Sequence, residues 1–187
     1  AKNVKELIAL ARARPGQINY ASSGPGGAPH LGAELFKSMT RVDMVHVPYK
    51  GSGLSFIDLL AGQVSLTCDS QLQSLPYIKA GRLRALAVLG GRRSPLLPDV
   101  ATVGETVPGY ELTNWFGMTV PAATPRDLIN RLYADVSKVL QQADFREKIA
   151  GMGADVIGSN PQQFGAFMKS ESAKWGKVIR EANIKAE

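Results

Sequence analysis

The residues best suited to chemistry in this chain are Ser22-Ser23-Gly24-Pro25-Gly26-Gly27-Ala28, a glycine-rich run between a short apolar stretch and an amphipathic one. Glycines let the backbone turn until several N–H groups point at one spot, and a helix starting just after adds partial positive charge there. A carboxylate or a phosphate suits such a spot. A glycine-rich turn is equally what close strand-to-helix packing requires, and spacing alone does not separate the two readings. The run is not a P-loop, because no Gly-Lys-Ser/Thr follows, and it lacks the G-x-G-x-x-G pattern of dinucleotide sites.

Ser22 or Ser23 could also act as a nucleophile, with His30 or His46 as base. The G-x-S-x-G elbow is missing, since Tyr20 and Ala21 precede Ser22, and no acid is marked out to orient either imidazole. A helix-start histidine and a strand histidine are the plain alternatives. Asp69 and Ser70 follow an apolar stretch, where Asp69 either accepts hydrogen bonds from a ligand's hydroxyl, ammonium or water, or caps the next helix. Tyr49-Lys50-Gly51 follows another such stretch, and Lys50 could add positive charge or simply be solvated. Trp115 and Phe116 read as packing residues more than as ligand contacts.

These groups need strands and helices to bring them together. Asn3 with Glu6 predicts a capping box for a helix carrying Val4, Leu7, Ile8 and Ala11 on one face, ended by Pro15-Gly16. Strands are expected at 18–21, 44–47, 64–68 and 83–89, with helices at about 29–40, 54–61 and 72–80, the last two closed by Gly62 and Gly81. The run Leu83–Leu89 is nearly continuously apolar, as in a strand covered on both faces. Such alternation implies right-handed βαβ crossovers and a parallel sheet, hence an α/β fold with the glycine run, Lys50 and Asp69 on one rim.

Beyond that the pattern changes. Thr102 and Glu105 predict a second capping box and a short helix, and Pro108-Gly109 a turn. Thr124 as N-cap with Pro125 at the first helical position predicts a helix to about Gln142; others follow at about 144–152 and from Asn160-Pro161 to about Ala182, with one weak strand at 155–157.

A chain of 187 residues, 44% hydrophobic and 20% charged, can bury a genuine core. Its longest apolar stretches fall well short of the roughly 20 residues that cross a bilayer, and no cationic, apolar leader opens it. Cys68, the single cysteine, excludes a disulfide scaffold and has no partners at zinc spacing. The net charge of +6 favours anionic partners, but the 22 lysines and arginines are scattered without interleaved aromatics, which argues against nucleic acid.

Several strings together resemble one family. Ile18-Asn19-Tyr20-Ala21-Ser22-Ser23-Gly24 through His30-Leu31, His46-Val47-Pro48-Tyr49-Lys50-Gly51, Ile78 to Val88, Arg93-Ser94-Pro95, Trp115-Phe116-Gly117, Pro121 to Pro125 and Glu171 to Trp175 are similar, in order, to blocks of the Bug/TctC receptors of tripartite tricarboxylate transporters. The resemblance implies a type II-like periplasmic binding protein, without enzymatic activity or cofactor, that hands a small carboxylate to membrane permease subunits. It implies ligand contacts from Ser22, Ser23, Gly24, Gly26, Gly27, Ala28 and Asp69, with His30, Tyr49 and Trp115 at motif positions. The family's first βα section has no counterpart here. Residues 1–120 are then expected to be the family's second domain, and 121–187 a helical return segment of an incomplete first domain, with dimerisation through that segment as one outcome. The remaining alternative is an α/β hydrolase or transferase using the 22–28 loop as an oxyanion site.

Overall fold

The computed structural model describes residues 1–182 and 184. Helix α1 spans Val4–Ala13, strand β1 Asn19–Ser22, α2 Ala28–Thr40, β2 Val45–Pro48, α3 Ser52–Leu60, β3 Leu66–Thr67 and α4 Gln71–Lys79. Then come α5 at Arg126–Leu140, α6 at Ala143–Gly151 and α7 at Pro161–Glu181. Among the described residues the strands form one parallel sheet in the order β2-β1-β3, with Tyr20 opposite His46 on one side and Leu66 on the other. This is the expected α/β architecture.

Local chemistry explains the boundaries. The Asn3 side chain accepts the Glu6 N–H at 2.9 Å while the Glu6 carboxylate accepts the Lys2 N–H at 2.8 Å, so α1 starts where its free donors are satisfied. Val4, Leu7 and Ala11 then face inward one turn apart. Strand β1 is central, and Tyr20, Ala21 and Ser22 are fully buried because both sheet faces are covered. Phe36 of α2, Met44, Val103, Tyr110 and Leu112 complete the core, with Trp175 of α7 packed against it.

Four expectations need correction. The run 83–89 forms no strand: only Val88 bridges to Thr102, since the stretch stays half-buried and lacks a neighbour along its length. The Thr102–Glu105 capping box does form, with reciprocal bonds of 3.0 and 3.2 Å, yet it opens only a turn. Pro108 and Gly109, the latter at φ +89°, stop the chain before a helix can propagate. Helix α5 takes Pro125 as its N-cap, without a side-chain cap bond, so Thr124 does not play that part. Residues 155–157 form no strand.

The chain divides into two compact units, Ala1–Asn114 with the residues from Trp175 onward, and Trp115–Lys174. The first holds the sheet and the core just described. In the second, the Trp115 ring meets Phe164 and Phe167 edge-on at 5.6 and 5.3 Å. Neither α5 nor α6 buries a single residue, and Phe116 and Ile157 are 81% and 82% exposed. Phe116 is therefore not a core residue, whatever its neighbour Trp115 does.

Candidate ligand-binding site

Parallel register brings three strand ends to one edge. Ser22 ends β1 and leads into the glycine loop, Pro48 ends β2 before Tyr49-Lys50-Gly51, and Thr67 ends β3 two residues before Asp69. The loop is tied down along its length: Tyr49 N–H donates to Ser22 O and Gly51 N–H to Ser23 O, each at 3.1 Å. Gly24 at φ +130° and Gly26 at φ +74° hold backbone conformations that favour glycine, and a Cβ at Gly27 would sit 2.7 Å from Ser23 Oγ.

The loop's donors are less free than its composition suggests. Gly24 N–H donates to Ser22 Oγ at 3.2 Å, Gly26 N–H to His30 Nδ1 at 3.1 Å and Gly27 N–H to Gly24 O at 3.3 Å. Helix α2 begins at Ala28 with Gly27 as an N-cap that has no side chain, so the Ala28 N–H belongs to the unsatisfied donors of a first turn. Together with the half-buried Ser23 hydroxyl, it is the loop group best placed to meet an anion.

At the end of β3, Asp69 Oδ1 accepts the Ser70 N–H at 2.7 Å, and Ser70 itself is the N-cap of α4. Asp69 Oδ2 is buried without a hydrogen-bond partner in the protein, and so is Gln71 Nε2 in the first turn of α4. Buried polar atoms are seldom left so, and an acceptor and a donor in this state on the binding rim suit a polar ligand or water. Nothing in the sequence marks Gln71, because an exposed helix-start glutamine looks the same in one dimension. Lys50 is exposed, and Tyr49 donates its hydroxyl to Asp58 of α3 at 2.7 Å.

Both histidines reach the loop. His46 Nε2 lies 2.6 Å from Ser22 Oγ, and the His30 and His46 rings stack with centroids 3.8 Å apart. Burial holds both imidazoles neutral, His46 down to about 4 with a further push from His30. Burial likewise pushes the Cys68 thiol up to about 12, which leaves it inert. The Ser22–His46 distance is that of a nucleophile and its base, but Ser22 is 0% exposed, so no substrate carbonyl can reach its oxygen. The pair is structural, and the hydrolase reading has no support here.

Residues 1–184 match the tripartite tricarboxylate transporter family receptor, TctC. The chain belongs to this family. Protein BugT of Bordetella pertussis is 35% identical over 180 residues, which are 96% of this chain and 55% of BugT. R. palustris Rpa4515, solved with adipate, superposes with a TM-score of 0.93 at 38% identity, over 98% of this chain and 62% of that one. MatC from Rhodopseudomonas palustris, solved with bound malate, superposes with a TM-score of 0.86 at 28% identity, over 95% and 62%. This TctC chain therefore spans about half the length of the curated relatives it matches, 56% and 55% for two of them.

Proposed function

We propose that this TctC chain forms one side of an extracytoplasmic receptor that captures a small mono- or dicarboxylate and presents it to the permease subunits of a tripartite tricarboxylate transporter. The observation that carries the reading is the near-complete superposition on a family member holding adipate, at a TM-score of 0.93. The rim adds physical support. The first turn of α2 and the Ser23 hydroxyl offer donors to a carboxylate, while Asp69 Oδ2 and Gln71 Nε2 offer an acceptor and a donor to the rest of the molecule. Ser22, Gly24, Gly26 and Gly27 then shape the loop, while Ser23, Ala28 and Asp69 touch the ligand. In this reading residues 1–120 act as one binding lobe and 121–187 as the returning part of the other. Among the described residues no helix is long and apolar enough to cross a membrane.

A thermal-shift series tests the proposal, on this chain and on a version extended to the relatives' length, with adipate, malate, amino acids and the uncharged diamide of adipate. Saturation at a hundredfold over Kd adds about 2.7 kcal/mol, or a Tm rise of roughly 5 to 10 °C for a chain of this size. The diamide should give none. If no acid raises the Tm of the extended version, the receptor reading fails.

A further inference from the structure

The ligand loop is held from below by two stacked imidazoles. His30, buried near the start of α2, accepts the Gly26 N–H on Nδ1 at 3.1 Å. A backbone N–H can only donate, so this nitrogen carries no proton and His30 is neutral. His46 of β2 reaches Ser22 Oγ, and that oxygen in turn accepts the Gly24 N–H. Two of the loop's backbone donors thus depend on the same ring pair, one directly and one through a serine.

We propose that His30 and His46 are positioning residues that latch the Ser22–Ala28 loop while both rings are neutral, and that protonation of His30 releases it. Protonated Nδ1 becomes a donor facing the Gly26 donor, so the bond turns into a repulsion. The stacking at 3.8 Å keeps the release a one-proton event, because a charge on one ring opposes a charge on the other.

Other groups around the pair do not override this. From α2, Glu34 favours the charged rings and Lys37 disfavours them, and the two are paired to each other at 2.6 Å. From β1, Tyr20 stacks on His46 at 5.0 Å and donates its hydroxyl to Glu34. Just past β3, Cys68 is a neutral thiol, and on α3 Asp58 is held by the Tyr49 hydroxyl. Carboxylate capture by the receptor then weakens on acidification. Only this last link rests on the receptor reading.

Nitrogen-15 NMR of this chain without ligand tests the latch. At neutral pH, His30 Nδ1 should show the shift of an unprotonated acceptor, and the Gly26 amide should be protected from exchange. On lowering the pH, the Gly24 and Gly26 amides should move together with the His30 ring. Each pH unit below that transition should lower the latched fraction about tenfold, read as Gly26 protection corrected for intrinsic exchange. In His30→Asn, Oδ1 stands where Nδ1 stood and cannot titrate, so Gly26 should stay protected to low pH. The latch is refuted if Gly26 ignores the His30 titration in the unaltered chain, or if His30→Asn keeps the same pH dependence. With no ligand present, either failure leaves the receptor reading standing, and a chain that binds no acid still reports on the latch.

Discussion

Ser22 shows how a residue can look catalytic and be structural. Its hydroxyl joins a ring nitrogen at 2.6 Å and a backbone N–H at 3.2 Å, in a place no water reaches. Ser22→Ala should therefore cost about 1 to 3 kcal/mol, since both partners are left facing a methyl group, and urea unfolding would measure it. Threonine at the same position should not restore the loss, because its extra methyl has no room beside a fully buried oxygen. His46 gives a pH signature. Its folded imidazole is held down to about 4, whereas an unfolded one titrates near about 6.5. Between those values the unfolded chain takes up a proton that the folded chain refuses. Stability should be complete above about 6.5, fall as the pH drops towards about 4 and level off below. A urea midpoint that stays constant or rises over that window contradicts the assignment. Histidine roles of this kind were invisible in sequence: His30 and His46 are 16 positions apart, and only the pairing of His46 with Tyr20 reveals that they stack.

At the scale of elements, the βα units up to Gly81 were legible because each carries its own punctuation. Asn3 with Glu6 opens α1, and Gly62 and Gly81, at φ +76° and +68°, sit just past the ends of α3 and α4. The 83–89 run was misread because its apolar content reports burial, while a strand needs a partner that only the fold can supply. Thr102 and Glu105 taught the converse: a cap can be fully made and have no helix to cap. The site was legible as a rim and not as a set of contacts. Glycine spacing located the loop, but where each N–H goes depends on His30 and Ser22. Helix α7 offers a test at this scale. Its Val178 is buried and its Trp175 packs on the core of the first unit. Trp175→Ala should lower stability by about 2 to 4 kcal/mol, less than for a fully buried indole, with the near-ultraviolet dichroism of the remaining core tyrosines retained in the folded state. A loss under 0.5 kcal/mol, roughly that of a surface change, would show that α7 adds nothing to the core.

The whole molecule combines a unit with a closed core and a unit whose apolar side chains remain largely in water. Tyr20, Ala33 and Met44 are at most 2% exposed in the first, while Phe116, Met118 and Ile157 exceed 70% in the second. Carboxylate-induced stabilisation should accordingly be read on a version of the relatives' length as well as on this chain. Under the proposed function, the buried Asp69 Oδ2 and Gln71 Nε2, without a hydrogen-bond partner in the protein, are where a ligand would add something the protein lacks. Helix α7 has one further consequence, in time. Trp175 packs against a core whose buried members all lie before Asn114. That core closes fully only when the two ends of Trp115–Lys174 come together, so its last contact carries a loop-closure cost that its local contacts do not and forms late in folding.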